Sequence, residues 1–161
     1  MAGEALLYLS NTSVILVDEP QTDRIDQAML ENQIRHGLAI AKAGMLPALD
    51  LRNTDSQMSP FLADEALLAR ITEMSRSALV ICGGLLEGAV TQISLAALMN
   101  GLDVFVAVDL VSTAEPDKAS LFLSRISSCG GHTLSYRQIL LELLSGERDQ
   151  SRRTPLEALL K

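Results

Sequence analysis

Short runs of β-branched and aliphatic residues recur along the chain, and between them lie longer stretches with helical spacing of apolar positions. The central stretch, Ala78 to Thr113, sets the pattern. An apolar run from Ala78 to Cys82 meets Gly83 and Gly84, a helical segment from about Glu87 to Asn100 stops at Gly101, and Asp103 to Val108 is apolar again. This predicts a strand, helix, strand unit with parallel strands.

The flanking sequence repeats the unit. Ser13 to Val17 predicts the first strand, ending at Asp18 before Glu19 and Pro20. A helix follows from Thr22 or Asp23 to Ala43, with Gly44 as its stop, and Leu46 to Leu51 predicts the second strand. Arg52 to Phe61 reads as a loop, and Asp64 caps a helix to about Arg76. Pro116 and Asp117 open a fourth helix to Ser128, Cys129-Gly130-Gly131 ends it, His132 to Ser135 is a short strand, and Tyr136 to Ser145 is a helix.

Strands alternating with helices predict a three-layer α/β/α sandwich around a mostly parallel, Rossmann-type five-stranded sheet in the order 2-1-3-4-5. One domain spans 1–146, and 147–161 is a C-terminal tail able to form a short docking helix. The crossover direction reverses between the first and third strands, so a ligand site is expected where Asp18 meets the loop Cys82 to Gly88.

Composition narrows the function. With 161 residues and 48% apolar content the chain can bury one sizeable core, and no apolar run reaches membrane-spanning length. The N-terminus lacks the pattern of a secretory signal, so a cytoplasmic protein is expected. A net charge of −7, 3% aromatic residues and no basic cluster beyond Arg152 and Arg153 speak against nucleic acid and anionic membranes as partners. Cys82, Cys129, His36 and His132 have no metal-ligand spacing, and Gly83, Gly84 and Gly88 fit neither GxGxxG nor a P-loop. No metal or cofactor is expected.

Val-Ile-Leu-Val-Asp at positions 14 to 18, Cys82-Gly83, the helix ending in Asn-Gly-Leu-Asp-Val-Phe-Val, and Asp109 followed by Ser112 together resemble the isochorismatase-like cysteine hydrolases. Gly101 to Leu144 is most similar to that family's small bacterial members of unassigned substrate. The resemblance implies hydrolysis of small amide, carbamoyl or enol-ether substrates by an aspartate, a lysine and a cysteine nucleophile, with backbone amides around a cis peptide holding an oxyanion. Asp18 matches the family aspartate. The nucleophile position falls on Ala89, and Asp55 lies near the lysine position, with Ser59-Pro60-Phe61 in the adjoining turn. No lysine occurs between Lys42 and Lys118. The chain is also shorter than typical members between the second strand and the next helix, where the family carries its lysine and an edge strand.

The resemblance thus implies a lapsed member, with Gly84, Leu85, Gly88, Asp55 and Phe61 as candidate substrate contacts. Asp18 fits either a surviving catalytic carboxylate or a cap for loop amides. Cys82 is the alternative nucleophile, or a small core residue. Asp109, Ser112 and Thr113 read as strand-end and turn residues, and Arg52 as either a carboxylate ligand or an exposed loop arginine. The helix Thr91 to Met99 is apolar nearly all round, which predicts burial on more than one side, and in similar family members that helix packs on a second subunit. A homo-oligomer is therefore expected, with a small molecule as its possible ligand. Three readings follow: a lapsed hydrolase kept as an oligomeric or ligand-binding protein, an active hydrolase using Asp18 with Cys82 or water, and a flavodoxin-like binding domain unrelated to the hydrolases.

Overall fold

A computed structural model describes residues 6–18, 26–53 and 65–161. Five strands, β1 (Thr12–Leu16), β2 (Ala48–Asp50), β3 (Ala78–Cys82), β4 (Asp103–Ala107) and β5 (His132–Leu134), pair in the order β2-β1-β3-β4-β5, every pair parallel. The expected topology is therefore observed. Register at the centre sets Leu16 opposite Cys82 and Ile81 opposite Val106, which aligns the strand ends of β1, β3 and β4.

Because successive strand residues point to opposite faces, the sheet feeds two cores. Val14, Leu16, Val80, Cys82, Phe105 and Ala107 pack beneath α1 (Gln27–Gly44), α5 (Tyr136–Ser145) and α6 (Gln150–Ala158). Ile15, Val17, Leu79, Ile81, Val104 and Val106 pack beneath α2 (Glu65–Glu73), α3 (Thr91–Met99) and α4 (Ala119–Ser128). The near-continuous apolar strands are what a sheet covered on both faces requires. In the tail, α6 seats the fully buried Leu156 in the first of these cores.

Two helix ends differ from expectation. Asp26 caps α1, accepting from the N–H groups of Ala28 and Met29, whereas Thr22, Asp23 and the Asp64 proposed to cap α2 lie outside the described residues. At the other end Met45, not Gly44, takes the left-handed cap conformation (φ 53°) and donates its N–H to the carbonyls of Ala41 and Lys42. Gly44 is needed for close packing instead, since a Cβ there would lie 3.0 Å from Leu9 and 3.1 Å from Leu46.

The helix expected from Glu87 is regular only from Thr91. One wide turn, Leu86–Val90, precedes it, closed by the Val90 N–H on the Leu85 carbonyl at 3.2 Å. Such i→i+5 turns inside helices occur often at functional sites. Here the turn lifts Ala89 and Val90 onto the second core rather than into a continuous α3.

Gly83 makes the strand-end alignment possible. It has φ +82°, and a Cβ on it would stand 2.4 Å from the Val17 carbonyl oxygen, a rigid backbone neighbour. Both the conformation and the space exclude other residues. Gly83→Ala is expected to lose about 2 to 4 kcal/mol of stability, read as a lowered midpoint in urea unfolding, while Gly101→Ala, with open space around its Cβ, loses less.

Candidate functional site at the carboxyl edge of the sheet

Beyond the last residues of the strands the backbone keeps pairing. The Val17 N–H donates to the Cys82 carbonyl at 2.8 Å, Gly83 donates to the Leu110 carbonyl, and Ser112 and Leu85 form a parallel bridge in which Ser112 donates to Gly84 (2.9 Å) and Leu86 to Ser112 (2.8 Å). The loop Cys82 to Gly88 is thus held between the ends of β1 and β4. Gly83 and Gly84 turn it with φ of +82° and +78°, and every described peptide bond is trans, so the cis peptide expected near Gly84 to Leu86 is absent. The two left-handed glycines supply the reversal.

Three side-chain clasps secure this edge. Gln33, buried on the inner face of α1, donates from Nε2 to Ser112 Oγ at 3.0 Å. Glu87 Oε2 accepts from the Thr113 hydroxyl and from the Ala114 N–H, each at 3.0 Å, tying the wide turn to the segment after β4. Asp109 Oδ1 accepts the Tyr136 N–H at 2.8 Å at the start of α5. Asp109, Ser112 and Thr113 therefore serve as strand-end and turn residues. The other oxygen of Glu87, Oε1, is buried with no hydrogen-bond partner among the described residues. Sequence reading missed Gln33 as a site residue. Its signal was a polar side chain set among Leu30, Ile34, Gly37 and Ala41 on one helical stripe.

Asp18 lies at this edge but opens toward α1. It lines a cavity of about 340 Å³ with Leu30, Glu31, Ile34, Arg35 and Arg52. Neither Cys82 nor Ala89 is among its lining residues. Arg52 is fixed there by Asp50, to which its Nε and Nη2 bond at 3.0 and 2.6 Å. Burial opposes ionisation of Asp50, yet the side-chain and backbone hydrogen bonds from Arg52, with its charge, outweigh that and lower the carboxyl. The same bond, aided by the charges of Asp50, Asp18 and Glu31, keeps Arg52 more firmly protonated against the cost of its own burial. The cavity holds two carboxylates and two guanidinium groups over an aliphatic floor.

Ala89 is fully buried, packed in the second core with Val17 and Val90, and its methyl group offers no nucleophile. Cys82 is fully buried in the first core, where the space a Cβ on Gly37 would fill lies 3.2 Å from its sulfur. Burial, with the charge of Asp109 behind it, pushes the thiol up to about 12, so at neutral pH it carries its proton. Gly84, Leu85 and Gly88 all lie in the loop and wide turn between Cys82 and Ala89, with Leu85 buried. Asp55 and Phe61 lie outside the described residues.

Neither histidine lines the Asp18 cavity, and both make ring contacts. His36 donates from Nδ1 to the Asn32 carbonyl at 2.7 Å and meets the Tyr136 ring edge-on at 5.1 Å. His132 stacks on Phe105 at 4.9 Å. Cys129 is exposed at the end of α4. Among the described residues no group of His, Cys, Asp and Glu side chains is placed to hold a metal ion, and no helix is long and apolar enough to cross a membrane.

Comparison with solved structures finds the same fold over almost the whole chain. YcaC from Pseudomonas aeruginosa, solved with hexane-2,5-diol and covalent acrylamide, superposes with a TM-score of 0.73 at 16% identity, covering 99% of this chain and 98% of that one. The YcaC gene product of Escherichia coli, described as an octameric hydrolase of unknown specificity, gives 0.73 at 17% identity over 97% and 91%. MAR1 ribonuclease from Caenorhabditis elegans gives 0.76 at 14% identity over 98% and 93%. No curated protein matches the chain. The isochorismatase domain model matches residues 50–138, more than half of the sequence and inclusive of β3, the wide turn and β4, and on that match the chain belongs to the isochorismatase family of hydrolase-like proteins.

Proposed function

We propose that this chain is an isochorismatase-family scaffold in which thiol hydrolysis has lapsed, and that it persists as a homo-oligomeric protein binding a small molecule. The observation that carries the reading is Ala89, buried in the turn before α3 at the position where the resemblance puts the nucleophile. Thiol attack requires a thiolate within reach of substrate. Alanine supplies none, and Cys82 is sealed in the core with its proton held up to about 12. One route to a thiolate is closed by the residue type at 89 and the other by the burial of Cys82.

Ligand binding is supported by the cavity at Asp18, where Arg35 and Arg52 stand over Leu30 and Ile34. At about 340 Å³ it lies at the small end of ligand pockets. An active hydrolase using Asp18 and water remains the second reading, because Asp18 shares that cavity.

Oligomerisation is supported by α3. Ile93, Ser94 and Ala97 face the sheet, while on the other side Leu95 and Ala96 are only half-buried and Met99 is 88% exposed among the described residues. Leu121 on α4, the neighbouring helix of the same layer, is exposed as well. A second subunit laid on this face would remove the apolar surface from water, and one relative is described as octameric.

Purified protein offered small amides, carbamates and isochorismate is expected to give no turnover above an Asp18→Asn, Cys82→Ser double variant. Turnover lost in Cys82→Ser would overturn the reading in favour of relocated thiol chemistry, and turnover lost only in Asp18→Asn would favour carboxylate and water. In sedimentation velocity the protein is expected to run as a multiple of the single-chain mass, and Met99→Lys to shift it toward the single chain. A monomer at micromolar concentration would remove the oligomeric part of the proposal.

A further inference from the structure

A larger cleft, about 850 Å³, opens at the opposite edge of the sheet, where the strands begin. It lies between the segment before β1, the end of α1, the residue pair ahead of β3, and the junction of α5 with α6. Its charged lining is Lys42, Arg76 and Arg152 against one carboxylate, Glu147. This is a local excess of positive charge on a chain whose net charge is −7.

None of the three cations donates a hydrogen bond to a carboxylate among the described residues. Lys42 forms no ion pair among the described residues, and Arg76 donates from one Nη to the neutral carbonyls of Leu9 and Ser10, which orients the guanidinium without cancelling its charge. Arg152 is ion-paired with Glu147 and with Asp149, 3.9 Å from each and without a hydrogen bond to either, so its charge is partly offset. Each cation alone has an ordinary explanation: Lys42 complements the end of α1, and Arg76 staples a loop. Those explanations do not require all three to share one concave surface, where their fields add.

The apolar part of the wall is as definite. Tyr8 lies against Gly146 so closely that a Cβ there would be 2.5 Å from the ring. Tyr8 and Met45 are exposed at 41% and 87%, so a ligand in the cleft would cover apolar surface now in water. We propose that this cleft is a second ligand site, for a small organic anion with a carboxylate or phosphate held by Lys42, Arg76 and Arg152 and an apolar body against Tyr8 and Met45. The site is independent of the family chemistry at the carboxyl edge.

Benzoate and phenyl phosphate serve as probes, titrated into the full chain at low salt and followed by amide NMR shifts and calorimetry. Saturable binding with shifts at Tyr8, Lys42, Arg76 and Gly146 is expected, weakened about tenfold or more in Lys42→Glu and in Arg152→Glu, with melting temperatures close to the parent's. The preferred probe then separates a carboxylate from a phosphate ligand. No saturable binding by either probe up to millimolar concentration, shifts confined to the Asp18 cavity, or an affinity unchanged from the parent's in both charge-reversal variants would overturn the proposal.

Discussion

The carboxyl edge of the molecule depends on one close passage, where the chain leaving β3 is threaded between the ends of β1 and β4. The Val17 N–H reaches the Cys82 carbonyl, and the space above Gly83 is filled by the Val17 carbonyl at a distance no Cβ would tolerate. From there Gly83, Gly84 and Leu86 exchange hydrogen bonds with Leu110 and Ser112. This pairing extends the sheet beyond its regular strands and satisfies backbone groups that would otherwise be buried without partners. It also determines where the next turn begins, and hence where Ala89 and α3 sit.

The same passage divides the candidate site. On one side the wide turn and Glu87 are locked to Thr113 and Ala114, and Ala89 is sealed beneath them. On the other, Asp18 faces a cavity walled by α1 and Arg52. A cysteine hydrolase needs carboxylate and thiolate working on one substrate atom. Here Asp18 borders a cavity, while Ala89, proposed to stand at the nucleophile position, contributes only a methyl group to the core. A charged, partly apolar recess without a nucleophile is suited to binding, the role proposed for it.

Much of this was legible in the sequence for physical reasons. Both-face burial demands continuous apolar strands, so Ala78 to Cys82 and Asp103 to Val108 announced themselves, the latter one residue longer than the observed β4, and their parallel order followed from the helix between them. Asp18 and the glycine loop could be placed at the carboxyl edge from that order alone. Helix ends were harder, because caps are decided by local competition. Gly44 looked like the stop of α1, but it stays in the helix, close to Leu9 and Leu46, and Met45 takes the left-handed turn. The wide turn at Leu86–Val90 has no periodic signature, since it is a local kink in which Gly88 leaves helical backbone angles and the Val90 N–H reaches back to Leu85. The long-range clasps from Gln33 to Ser112 and from Glu87 to Thr113 join residues 79 and 26 positions apart, beyond what local pattern can show.

If thiol chemistry has lapsed, the native protein should present no activated thiol at its carboxyl edge. Timed alkylation followed by intact mass and peptide mapping addresses that claim most directly. The exposed Cys129 is expected to take iodoacetamide near neutral pH at the rate of an ordinary surface thiol, and Cys82 to take none until the protein is denatured. Rapid labelling of Cys82 in the native protein, faster than Cys129 and slowed by Asp18→Asn, would contradict it.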